Sequence, residues 1–274
     1  MQPDTTNLKK HFDALTNWWE GAGVQVDRAQ FQRMLNALNK AQAGASGPQT
    51  ASSATQPARS NIKPSGFEAA KALAANIQSL DQLRDALTRF DGCELKETAN
   101  TTVIADGQAD ADIMVIGEGP GRDEDMQGKP FVGRAGQLLD RMLASIGLSR
   151  EENVYITNVN FWRPPGNRNP SDEELALCRP FVDKHISLIK PKLIIAAGAV
   201  SAKALLDTSD GIMRLRGKKF EFALPGQSET IPLYPILHPA YLLRRPAEKA
   251  RAWADLLTIS SALDTLGIAP QKRP

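Results

Sequence analysis

The chain has 274 residues, 42% of them hydrophobic and 23% charged, with a formal net charge of +2. That is enough for one large domain, or one domain plus an appendage, within the composition range of soluble globular proteins. The near-balanced charge excludes a uniformly basic chain, so any nucleic-acid-binding surface must come from local clustering of Lys and Arg. The N-terminus, MQPDTTNLKK, lacks the apolar core of a signal peptide, and the longest apolar run, LIIAAGAV, is too short to span a bilayer. The resulting expectation is a cytoplasmic, monomeric protein without a membrane partner. Its two cysteines, Cys93 and Cys178, are then expected as thiols.

In chain order, residues 8–41 read as helical, with Trp18 and Trp19 on an apolar patch and Gly21 and Gly23 interrupting it. This segment, residues 1–41, is expected to be a helical appendage, either a hairpin of small helices or a docking segment for a protein partner. Residues 42–65 change to Ala, Gly, Ser, Pro, Thr and Gln and lose all apolar periodicity, the signature of a flexible linker. Residues 66–274 are expected to form the main domain. A helix is predicted over 67–90. Then come four short apolar strands, in DIMVIGEGPG, VYITNV, KLIIAAG and LYPILHP, alternating with helical patterns. Ser171 followed by Glu174 is a capping-box signature at the start of one helix, and EKARAWADLLTISSAL reads as the last helix. Strands alternating with helices predict an α/β fold: a three-layer sandwich around a mostly parallel four-stranded sheet, with ligands bound beyond the C-terminal strand ends.

Three loops follow such strand ends. The first, residues 117–136, is glycine-rich but matches neither the dinucleotide nor the Walker phosphate pattern, so a nucleotide-binding enzyme lacks support. Its Glu118 suits either water positioning or cation stabilisation, or is a solvated turn residue. The second, NVNFWRPPGNRNP, is stiffened by Pro164 and Pro165 and carries Arg163 and Arg168, which can meet phosphates. Asn158 offers donor and acceptor at a strand end, suited to reading a pyrimidine edge or to tying the loop together. The third is HPAYLLRRP. The chain has three histidines. His11 is in the appendage and His185 on a helix, whereas His238 ends a strand, where a neutral imidazole could donate to a developing anion. Leu242 and Leu243 followed by Arg244 and Arg245 look like an apolar wedge flanked by phosphate anchors, or a turn packed on the domain. Metal-ligand spacings such as CxxC and HExxH are absent.

Taken together, GEGPG, GKPFVGRAGQLLD, YITNV, RPPGNRNP and HPAYLLR resemble the type-4 uracil-DNA glycosylases, over about residues 90–263. The resemblance implies a uracil-DNA glycosylase-like fold and excision of uracil from single- or double-stranded DNA in base excision repair. It implies that Glu118 and Gly119 form the water-side catalytic motif and that His238 stabilises the departing uracil anion. Phe131 then stacks on the flipped uracil, Asn158 reads its edge, Asn167 lies in the motif loop and Leu242 fills the vacated stack. The family also implies a [4Fe–4S] cluster on four cysteines. Here Phe90 and Trp162 stand at two of those positions and only Cys93 and Cys178 remain, two thiolates short of the four required. The expectation is therefore no cofactor, with a degenerate iron–sulfur site at Cys93 and Cys178 as the alternative. Phe90 and Trp162 are expected to fill the volume and the thiols to lie close together. A non-catalytic DNA-binding or DNA-polymerase-associated module is the rival function; it would not need Glu118, Asn158 and His238 on separate strand ends.

Overall fold

The computed structural model describes residues 64–268. The expected appendage over 1–41, and the expected linker up to residue 63, lie outside the described residues. The predicted helix over 67–90 is two helices, α1 (Pro64–Ala75) and α2 (Leu80–Arg89). The break falls at Ser79, whose hydroxyl accepts from the Gln82 amide and caps α2. A short helix α3 (Leu95–Thr98) follows and, further along the chain, α4 (Arg122–Gln127).

The sheet has six strands rather than four. The four expected from their apolar runs are β2 (Ile113–Gly117), β3 (Val154–Asn158), β4 (Leu193–Ala197) and β6 (Thr230–Ile236), and they pair in parallel in the order β3-β2-β4-β6. Two short strands flank them antiparallel, β1 (Ala105–Gly107) beside β3 and β5 (Phe220–Ala223) beside β6. Neither edge strand carries the continuous apolar run that marks a strand buried on both faces. Every residue of β2, β3 and β4 is buried, as expected when helices cover a parallel sheet on both sides.

On one face, Met114 and Ile116 of β2 join the core formed with α1, α2 and the long helix α6 (Asp172–Ile189). Ile113 and Val115 are buried outside that core, as are Leu138, Leu139 and Met142 of α5 (Arg134–Ser145) and Trp253 and Leu256 of the last helix, Lys249–Thr265. Helix α6 starts with the expected capping box: Ser171 Oγ accepts from the Glu174 amide, and the Glu174 carboxylate accepts from the Ser171 amide. No described helix is long and apolar enough to cross a membrane.

Candidate active site

The parallel register brings the expected residues to one edge of the sheet. Gly117 and Asn158 are direct partners at the C-terminal ends of β2 and β3. A β-carbon at Gly117 would collide with the Asn158 amide and the Phe131 ring, so that glycine keeps the space in which both side chains meet. At the end of β4, Gly198 (φ 104°) donates to the Ile236 carbonyl, and a β-carbon there would lie 3.0 Å from that of His238. The rings of Phe131 and His238 stack at 5.6 Å between centroids and 30° between planes. Glu118, Phe131, Asn158 and His238 thus come from three separate strand ends and one loop.

Asn158 is only 1% exposed, yet neither its Nδ2 nor its Oδ1 has a hydrogen-bond partner. Buried amides are normally paired, because leaving one unsatisfied costs roughly 1–3 kcal/mol. Among the described residues, its side chain makes no hydrogen bond that ties the loop together. His238 caps the short helix Pro239–Arg244, its Nδ1 accepting from the Ala240 amide at 3.2 Å. That contact leaves the ring proton on Nε2, the donor side. Burial first, and the Arg244 guanidinium second, push the imidazole pKa down to about 4. Half-buried Glu118 is shifted the other way: desolvation raises its carboxyl above the ordinary value, and Arg244 partly opposes this.

Phe131 adopts φ 54°, a left-handed conformation costly for a bulky side chain. Two residues that sequence reasoning did not single out hold it there. Arg150 donates through Nη1 to the Pro130 carbonyl at 3.0 Å and through Nη2 to the Phe131 carbonyl at 2.8 Å. The Glu124 carboxylate accepts from the amides of Val132 and Gly133 at 3.0 and 2.9 Å. The Arg150 contacts span 20 and 19 residues and the Glu124 contacts eight and nine; only the i to i+3 spacing of Gly121 and Glu124 offered a more local signal.

The outer residues divide. Arg244 and Arg245 are exposed beside the site. Arg163 is tied within its loop, Nε donating to Asn167 Oδ1 at 2.7 Å, and Asn167 is itself exposed. Arg168 forms a two-pronged pair with Glu174 at 2.8 and 2.6 Å, so its guanidinium braces the start of α6. Leu242 is 1% exposed and packs into the domain, unlike the protruding side chain a wedge requires; its neighbour Leu243 is the partly exposed one.

Phe90, Cys93, Trp162 and Cys178 meet in the core. Phe90 stacks with Trp162 at 6.3 Å and meets Phe181 edge-on at 5.1 Å, while the Trp162 indole donates to Thr102 Oγ1 at 3.1 Å. Cys93 and Cys178 are free, buried thiols, near enough for each to perturb the other's ionisation. The nearby Cys93, together with complete burial, pushes the Cys178 thiol well up. Two cysteines and two aromatic rings do not fit a [4Fe–4S] cluster, which needs four thiolates. Among the described residues, no group of three or more His, Cys, Asp or Glu side chains could hold a metal ion.

Residues 104–257 match the uracil DNA glycosylase superfamily. The chain is 40% identical over 174 residues to a type-4 uracil-DNA glycosylase of Archaeoglobus fulgidus, covering 62% of this chain and 86% of the relative. It is 38% identical over 182 residues to the type-4 enzyme of Pyrobaculum aerophilum, covering 65% and 91%. It is also 30% identical over 170 residues to a DNA polymerase of Bacillus phage SP01, covering 62% of this chain but 18% of the polymerase. By these matches, the chain belongs to the uracil DNA glycosylase superfamily, as a type-4 member lacking two of the four cluster cysteines.

Proposed function

We propose that the protein flips uracil out of DNA and hydrolyses its N-glycosidic bond, leaving an abasic site. The unpartnered, buried Asn158 amide beside Phe131 and His238 carries this reading. A uracil edge offers one N–H donor and one carbonyl acceptor, which would satisfy Asn158 Oδ1 and Nδ2 together. A base inside a duplex is unreachable, so extrusion comes first, at a cost of a few kcal/mol. Arg244 and Arg245 offset it by gripping phosphates, and Leu243, rather than Leu242, follows the base into the stack.

In the chemical step the bond from C1′ to uracil N1 breaks with its electron pair on the base, and a water oxygen bonds to C1′. Glu118, as carboxylate, orients that water and accepts its proton. His238 donates from Nε2 to the carbonyl oxygen on which the uracil anion's charge develops. A neutral imidazole is the right donor here, because it stabilises the anion without needing to titrate. Uracil then takes a proton from solvent. No step draws on an iron–sulfur group.

A non-catalytic, polymerase-associated role is the second reading, favoured by the match to a phage DNA polymerase. Incubating the protein with an oligonucleotide holding one uracil, then cleaving with alkali, separates the two. Breakage only at uracil supports excision. An intact strand that the protein nevertheless binds supports the module.

A further inference from the structure

Behind the Glu118–Gly119 turn lies Asn160, fully buried and, unlike Asn158, hydrogen-bonded through both side-chain polar atoms. Its Nδ2 donates to the Trp162 carbonyl at 2.6 Å. Its Oδ1 accepts from the Trp162 amide at 3.3 Å and from Cys178 Sγ at 3.7 Å. Its own amide donates to the Glu118 carbonyl at 3.1 Å. A β-carbon at Gly119 would lie 3.0 Å from Asn160 Nδ2, so the turn rests directly on this side chain. One residue therefore joins the packed Trp162 and Cys178 core to the backbone that carries the Glu118 carboxyl. Valine is apolar and comparable in size to asparagine, and it could make none of the three side-chain bonds.

We propose that Asn160 is a positioning residue, coupling the aromatic and thiol core that stands in place of a cluster to the Glu118–Gly119 turn and fixing where the carboxyl sits. This rests on reading Glu118 as the water-side carboxylate. Rigid support of this kind matters because a misplacement of about 1 Å can cost a hundredfold in rate.

The test compares the full-length wild type with Asn160→Val and with Val182→Ala, a core truncation four residues beyond Cys178 on α6. Three quantities are measured: thermal midpoint, single-turnover release of uracil from an oligonucleotide, and the carboxyl titration of Glu118 in the free protein by carbon-13 NMR. Asn160→Val is expected to slow release about tenfold or more, the equivalent of one to two lost hydrogen bonds, with uracil-DNA affinity held. Its Glu118 titration should move down toward the ordinary range as the turn loosens and water enters. Val182→Ala should lower the midpoint yet keep the wild-type titration and rate. A wild-type rate and titration in Asn160→Val would overturn the proposal, as would losses in Val182→Ala that match those of Asn160→Val. If the wild type releases no uracil, the glycosylase reading falls, while the Glu118 titration still decides whether Asn160 sets the turn. If Asn160→Val does not fold, Cys178→Ala removes the thiol donor alone; a smaller change of the same sign in both readouts supports the proposal, and no change in either overturns it.

Discussion

Replacing His238 with alanine isolates the electrostatic part of the mechanism. The substitution removes the Nε2 donor, the ring stacked on Phe131 and the acceptor for the Ala240 amide. Loss of the cap contact costs about 1 kcal/mol of stability, small against the total for a domain of this size. Loss of one donor aimed at a developing anion costs about 3–4 kcal/mol of activation energy, or roughly two to three orders of magnitude in rate. The wild-type imidazole, with its pKa pushed down to about 4, is neutral about a thousandfold in excess at pH 7. The expected result is therefore a loss of 10²–10³ in single-turnover excision that is constant between about pH 6 and 8, since neither histidine state changes there. Quench-flow release of uracil from a labelled oligonucleotide reads this directly, with calorimetry confirming the fold. A His238→Ala rate within a few-fold of wild type would refute the donor role.

Asn158→Leu should abolish excision yet hold or raise the thermal midpoint, because it removes a buried amide whose unsatisfied state costs roughly 1–3 kcal/mol; a clear loss of stability would mean the amide has a structural partner. Glu118 has a raised pKa, so acidification protonates it above its usual range and before His238 charges at about 4. The rate should then fall on the acid side with a midpoint above that of an ordinary glutamate, and Glu118→Gln should remove that limb; an unchanged limb in the variant would assign it elsewhere. Trp162→Ala should cost about 3–5 kcal/mol, since it empties a fully buried aromatic site, and urea titration measures it. Anaerobically purified protein should hold no stoichiometric iron or labile sulfide, as colorimetric assay and the visible spectrum would report; four irons per chain would contradict the packed core.

Much of the fold was legible in the residues. The four parallel strands showed as continuous apolar runs ending in glycine, asparagine or histidine, and the Ser171 and Glu174 cap was readable as a local pattern. The edge strands were not. Ala105–Gly107 holds a glycine and an aspartate, and its pairing depends on β3, some fifty residues on. The single helix expected over 67–90 divides because Ser79 caps a second start, a signal masked by helical spacing on both sides of it. At the site, strand-end residues could be named because the chemistry constrains their type. Which neighbours engage them could not, since Arg168 meets Glu174 and Leu242 turns inward for reasons of packing. Asn160 lay in plain view in NVNFW, but its importance depends on Cys178, which reaches it from helix α6.

The most direct measurement is the side-chain amide signal of Asn158 in nitrogen-15 NMR of the full chain as free uracil is added. That Asn158 pair should show a saturable shift, absent with 3-methyluracil, whose N3 has no hydrogen to donate to Oδ1. An Asn158 signal unmoved by saturating uracil, or moved equally by 3-methyluracil, would contradict a site built around an extruded uracil.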